Sequence, residues 1–335
     1  SKLVISNSSL SLGSIDNYSN DVVTIPSLQI EGSLLNLVEN IESHVNYSSI
    51  KISNTTISQA GDHAIRTNGA FSNIYLENDT IENAPGNGVY AWAHDSKVAM
   101  KNSTIRNCTG IGIYTNSYNS PVTVSNSVIE NNGSNGIRTY DSNSDIFLTN
   151  TIVRSNLGSG IAFQGAYSKL IMDNSQSISN GGYGIYSSSY GSTSEIQRST
   201  ISENANSGIY FIQYQTTTLL AMSSIICNNS GVGIQASTID IANSVVSSNQ
   251  SYGLRANYIY GNYLTSIFNG DKGVIEEGSE TSYLFNSIVC LNAQYGAQYS
   301  GTFDFTNCKV SGNPKVAKSL GHLLPDSLSI DAADP

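Results

Sequence analysis

The stretch VTVSNSVIENNGSNGIRTYDSNSD, residues 122–145, decides how the rest of the chain reads. It holds three short apolar segments, around Val122/Val124, Ile129 and Ile137, separated by Asn- and Gly-rich corners. A step of 24 residues in either direction returns the same pattern. Asn126 becomes Asn102, Asn78 and Asn54 going back, and Asn150 and Asn174 going forward. The apolar pair before it becomes Ile74/Leu76, Val98/Met100, Ile146/Leu148 and Leu170/Met172. The aliphatic after it becomes Ile57, Ile81, Ile105, Val153 and, further on, Ile201. The small–aliphatic pair becomes Gly88-Val89, Gly112-Ile113, Gly160-Ile161, Gly184-Ile185 and Gly208-Ile209. Arg198 and Ser223 take the next asparagine slots, and Asn243, Asn262, Asn286 and Asn307 resume the series at looser spacing. A repeat of this length marks a solenoid, and no helical periodicity runs anywhere along it. Three short strands per turn predict an all-β, single-stranded right-handed parallel β-helix of about eleven or twelve rungs.

The asparagines read as scaffold. A side-chain amide is both donor and acceptor. Stacked one rung apart, about 4.8 Å, such amides can bond to each other and to the corner backbone.

Composition narrows the setting. The chain has 335 residues, yet a solenoid grows in one dimension and can form one long domain. Only 12% of residues are charged, so solubility rests on Ser, Thr, Asn and Tyr, which suits an extracellular or cell-surface β-solenoid. A net charge of −10 argues against nucleic acid as a partner. The four cysteines, Cys108, Cys227, Cys290 and Cys308, make no disulfide framework and no metal spacing. Free thiols are expected. No cofactor is implied; Asp141 and Asp145 flank one turn without a repeat on the next, so calcium has at most a structural part. No signal peptide or membrane-inserting span is read. The start at Ser1 suggests a mature form or a fragment of a larger surface protein.

Three regions follow. Residues 1–49 form an N-terminal cap or irregular first rungs, 50–313 the β-helix, and 314–335 a closing segment. Seven regular rungs run from Ile50 to Ile209. Beyond Ser223 the corners shorten, and Tyr258/Tyr260 and Phe303/Phe305 stand at the inward pair. Gly270 to Glu280 reads as one charged, solvated loop.

The tail carries a resemblance. Gly321-His322-Leu323-Leu324-Pro325-Asp326-Ser327, then Ser329-Ile330-Asp331-Ala332-Ala333-Asp334-Pro335, resembles the closing phrase of secreted bacterial β-helix proteins, the choice-of-anchor or polymorphic-outer-membrane-like surface proteins. Leu328 and Ala333 replace a proline and a glycine of that phrase. The resemblance implies that this segment ends the helix. Residues 50–313 resemble more broadly the β-helix repeat shared by polysaccharide lyases, hydrolases, epimerases and adhesins, which implies architecture and no particular reaction.

In β-helices that act on polysaccharides, the strand after the Gly-aliphatic corner typically carries the working face. Alternation places Arg66, Tyr90, Tyr114, Arg138, Ala162, Tyr186 and Tyr210 outward there, with Trp92 and Tyr140 two residues on, then His94 and Tyr118. Rings stack on sugar faces, and Tyr, Asn and Arg can bond hydroxyls and carboxylates. Tyr90, Trp92, Tyr114, Arg138, Tyr140, Tyr186 and Tyr210 are therefore the candidate binding residues for a polysaccharide or cell-surface glycan. The favoured reading is a non-catalytic adhesin or glycan-binding module. The first alternative is a polysaccharide lyase on an acidic glycan, with Arg66 or Arg138 neutralising a carboxylate and His94 or Tyr114 as base. The second is a purely structural stalk. Gly61-Asp62-His63 resembles the Gly-Asp-Asp corner of polygalacturonase-type hydrolases, but ordinary glycoside hydrolysis needs a second carboxylate that the neighbouring corners lack.

Overall fold

The fold was taken from a computed structural model, which describes residues 2–12, 15–17, 27–37, 40–58, 61–212, 217–294, 296–300 and 302–310. The resemblance drawn for the tail lies outside the described residues. Three parallel sheets run the length of the described residues, with 14, 14 and 13 strands among them. Each described turn contributes one strand to each sheet, except the last, which contributes to the first two. Val122–Ser125 lies in sheet 1, Val128–Glu130 in sheet 2 and Ile137–Thr139 in sheet 3. Each pairs in register with the strand of the next turn, so Val122 meets Ile146, Ile129 meets Val153 and Ile137 meets Ile161. Strands in residues 2–43 join the same sheets, so the turns begin before Ile50.

Alternation within short strands fills the centre. Ile74, Val98, Val122, Ile146 and Leu170 form one inward column, and Ile113, Ile137, Ile161 and Ile185 another, all 0% exposed. The glycines before that second column are required by close approach. A Cβ on Gly136 would lie 2.4 Å from Val153 Cγ1 and 2.7 Å from the Gly160 carbonyl oxygen.

The corner between sheets 1 and 2 needs a left-handed residue in every turn, which asparagine tolerates better than most. Asn7, Gly32, Asn54, Asn78, Asn102, Asn126, Asn150, Asn174, Arg198 and Ser223 all occupy it, with φ from 44° to 60°. Exposed amides bridge successive turns: Asn102 Nδ2 donates to Asn78 Oδ1 at 3.1 Å and Asn126 Nδ2 to Asn102 Oδ1 at 3.2 Å.

A second asparagine column, at the corner between sheets 2 and 3, escaped the sequence reading. Asn132, Asn156, Asn180, Asn204, Asn229, Asn249 and Asn269 are each at most 1% exposed. In each, the backbone N–H and Nδ2 both donate to Oδ1 of the next turn's asparagine; Asn180 does so to Asn204 at 3.0 Å through each group. Nδ2 also reaches back to a carbonyl oxygen, as Asn204 does to Ser177 at 3.1 Å. Cys108 heads this column, its N–H donating to Asn132 Oδ1 at 3.1 Å.

Three sequence assignments shift in the last third. Tyr263, with φ 51°, takes the left-handed corner assigned to Asn262. Asn262 is the last residue of a strand and still accepts from Asn286 Nδ2 at 3.2 Å. That slip of one residue reverses the faces of the strand. Ile259 and Gly261 therefore point inward, and Tyr258 and Tyr260 outward, while Phe303 and Phe305 do face in. The stretch Gly270 to Glu280 is not one loop, because Val274–Glu276 is a buried strand of sheet 3.

The corner from sheet 3 to sheet 1 changes most along the chain. It spans residues 140–145 in the turn of Asn126 but only 236–237 and then 257 further on. A recess opens beside this shortened corner, lined by Thr218, Ser237, Tyr258, Glu277 and Glu280.

Candidate functional site

The outward face of sheet 3 gathers the predicted column. Pairing registers Glu42 with Arg66, then Tyr90, Tyr114, Arg138, Ala162, Tyr186, Tyr210, Gln235 and Arg255, one per turn. Tyr90 and Tyr114 stack face to face, centroids 5.1 Å apart and 6° between planes. Arg66 lies over Tyr90 at 5.7 Å, and Arg138 lies over Tyr114 at 5.6 Å and over Tyr140 at 5.3 Å. Tyr186 and Tyr210 stack further along at 6.2 Å, joined by Tyr183 at 5.3 Å and 5.0 Å.

Accessibility divides these rings. Trp92 and Tyr140 are 50% and 51% exposed, whereas Tyr90 is only 6% exposed. His63 meets Tyr90 edge-on at 4.7 Å and Trp92 meets it at 5.6 Å. Tyr90 thus supports the surface from below, and its burial pushes the phenol up to about 12. Burial also raises Tyr114, whose hydroxyl donates to Asn116 Oδ1 at 2.6 Å. Both phenols stay protonated at neutral pH, the state that donates to an acceptor and cannot take up a proton.

The four lyase candidates do not converge. Glu42, 9% exposed, sits 3.4 Å from Arg66 Nε, and Asn68 Oδ1 accepts from the same nitrogen at 2.8 Å. Arg66 is therefore neutralised from below. His94 lies on the corner beyond Trp92, stacked on Tyr118 at 5.1 Å, edge-on to Phe71 at 5.4 Å and 2.7 Å from Asp95 Oδ2. That bond is the main cause holding the Asp95 carboxyl below its usual range. Tyr114 and Arg138 alone meet each other. His63 accepts the Asn87 N–H on Nδ1 at 2.9 Å, and burial lowers its pKa, so it is a neutral wedge behind Tyr90.

Sequence reasoning missed part of the aromatic surface. Tyr47 and Phe71 stack at 4.7 Å and continue through His94 to Tyr118, forming an exposed wall along one edge of the face. They sit one position later in the corner than His94 does in its own, so a fixed offset passes over them. Tyr183 precedes the glycine of its turn and is reached only through the fold. Among the described residues no group of three or more His, Cys, Asp and Glu comes together to hold a metal. No described helix is long and apolar enough to cross a membrane.

Comparison with known proteins bears on the fold at this point. The profile of the right handed beta helix region matches residues 15–169 and 142–322. The chain belongs to this family. Among solved structures, the periplasmic alginate epimerase AlgG superposes with a TM-score of 0.58 at 14% identity, covering 83% of this chain and 76% of that one. The A-module of the Azotobacter vinelandii mannuronan C-5 epimerase AlgE4 gives a TM-score of 0.57 at 13% identity over 93% of this chain and 91% of that one. The AlgE6 A-module gives 0.58 at 14%, over 93% and 90%. At such identities the likeness is one of fold. Comparison with curated proteins gave no match.

Proposed function

We propose that the outer face of sheet 3 binds an extended polysaccharide, and that the protein is a glycan-binding or adhesive β-helix module of the cell exterior. One observation carries this reading: rings pair on successive turns of one register, Tyr90 with Tyr114 and Tyr186 with Tyr210, with half-exposed Trp92 against the buried Tyr90 and half-exposed Tyr140 against Arg138. A polymer of repeating units meets repeating turns, so modest contacts add along its length. The names of the solved structures of like fold, epimerases of alginate and mannuronan, agree with a glycan partner. Binding is favoured over catalysis because Arg66 is neutralised by Glu42, Tyr114 holds its proton, and His94 faces other partners.

A glycan array with the purified chain tests the reading, with turnover followed on each ligand that binds. Trp92→Ala, which removes the largest exposed ring, is expected to weaken binding about tenfold. Unchanged affinity of Trp92→Ala and Tyr140→Ala for every ligand would reduce the face to ordinary surface. Cleavage of a polymer that is lost in His94→Ala would move the protein to the lyase reading.

A further inference from the structure

Six arginines are present, and five of them lie against an acid. Arg66 faces Glu42 at 3.4 Å, Arg106 faces Glu82 at 2.8 Å, Arg154 faces Glu130 at 2.7 Å, Arg198 faces Asp173 at 2.5 Å and Arg255 faces Glu277 at 2.9 Å. Arg138 has no such partner among the described residues, although the chain carries a net charge of −10. It is nonetheless held in place. Nε and Nη2 donate to the neutral Gln164 Oε1 at 3.2 Å and 2.6 Å, and the guanidinium lies over the rings of Tyr114 and Tyr140.

Holding a half-buried cation against rings and an amide costs solvation that a carboxylate would otherwise offset. A guanidinium has five N–H donors. Gln164 takes two, which leaves the remaining fork free for two oxygens of an anion. Arg66 gives the internal contrast. It stands in the same column three turns earlier and lies over Tyr90 in the same way, but Glu42 already occupies its charge.

We propose that Arg138 is the specificity-determining residue of this face, and that it selects a glycan bearing an anionic group, a carboxylate or a sulfate, on the unit lying between Tyr114 and Tyr140. The inference rests on the glycan-binding reading above. It adds that the partner is charged and names where the charge is read. The surrounding rings contribute affinity without regard to charge, while Arg138 supplies the difference between charged and neutral polymers.

The test measures affinity for a linear polyuronate, the same polymer after reduction of its carboxyl groups, dextran sulfate and dextran. Wild-type protein should bind a charged polymer at least about tenfold more tightly than its neutral counterpart. Binding should weaken as salt rises. Arg138→Gln should abolish the preference, weakening the charged polymers far more than the neutral ones, and Arg138→Lys should restore part of it. Arg154→Gln, at an arginine paired on sheet 2, should leave the preference intact. Preference for polyuronate over its reduced form assigns the anion as carboxylate; preference confined to dextran sulfate assigns it as sulfate. Equal wild-type binding of charged and neutral polymers overturns the proposal and leaves glycan binding standing. So does an equal loss on all polymers in Arg138→Gln, which would make Arg138 a support for the rings alone. Failure of every polymer to bind, or their indifference to Trp92→Ala, removes the underlying reading as well.

Discussion

Two columns of asparagine run along this molecule, the exposed one from Asn7 to Asn307 with substitutions and the buried one from Asn132 to Asn292, and do different work. The column at the corner of sheets 1 and 2 is exposed, and its amides bond to each other outside the backbone. The column at the corner of sheets 2 and 3 is buried, and from Asn156 onward each Oδ1 there accepts from both a backbone N–H and a side-chain amide. Outside, asparagine is chosen for a left-handed backbone, and glycine, serine, arginine or tyrosine can stand in its place. Inside, asparagine satisfies backbone groups that water cannot reach, and alternatives are few. Identity of residue type therefore does not imply identity of role.

The largest effect sets the scale for damage inside. Ile137→Asp would place a charge without a partner in the core and should cost more than about 4 kcal/mol, read as loss of the cooperative urea transition. Wild-type stability would mean that sheet 3 faces the other way. Next comes Asn180→Ala, which strips the acceptor from the Asn156 N–H and Nδ2 and should lower stability by about 3 kcal/mol.

Asp79 sharpens the comparison by carrying charge into another buried column. At 3% exposure it occupies the position of Ser103 and Ser127, accepting the Thr55 N–H at 2.9 Å and the Glu77 N–H at 2.8 Å. Burial raises its carboxyl from 3.8 to about 6. The folded state therefore holds the proton more tightly than the unfolded chain. Its contribution is fully present below pH 3.8 and is lost as pH rises through about 6. Asp79→Ser should gain stability relative to wild type on going from acid to neutral pH, by about 1–2 kcal/mol after screening. A difference independent of pH would show that the carboxylate is solvated in the fold. The smallest effect belongs to the exposed column. Asn126→Ala should cost about 1 kcal/mol for its left-handed backbone, and Asn126→Gly close to nothing. Equal losses at Asn126 and Asn180 would erase the distinction between the columns.

Much of the fold was legible because strand alternation and corner chemistry recur at one spacing. The inward columns and the outward series from Arg66 to Tyr210 needed only a period and a parity. The series failed where one residue broke parity: Tyr263 tolerates the left-handed corner, so nothing local marks Asn262 as misplaced. Asn132, Asn156 and Asn180 also recur at 24 residues, a signal that was available and obscured by the louder column beside it. The candidate site was legible in position and not in state. Tyr90 is buried by His63 and Trp92, and Arg66 is neutralised by Glu42 from residues read as an irregular cap. Such facts depend on neighbours one turn away, which spacing alone does not weigh.

The buried amide column also has a direction. Each asparagine leaves two donors, its N–H and its Nδ2, waiting for the oxygen of the turn that follows. A chain leaving the ribosome N-terminus first would extend this column in the order in which it is made, every completed turn presenting an unfinished edge to its successor. Deleting one whole turn from Asn126 to Thr149 should thus splice cleanly, since donors and acceptors rejoin in phase. Cutting after Asn204 instead would leave Asn204 with donors facing water. The growing end is at once the template for the next turn and, if synthesis stalls, an adhesive edge open to another chain.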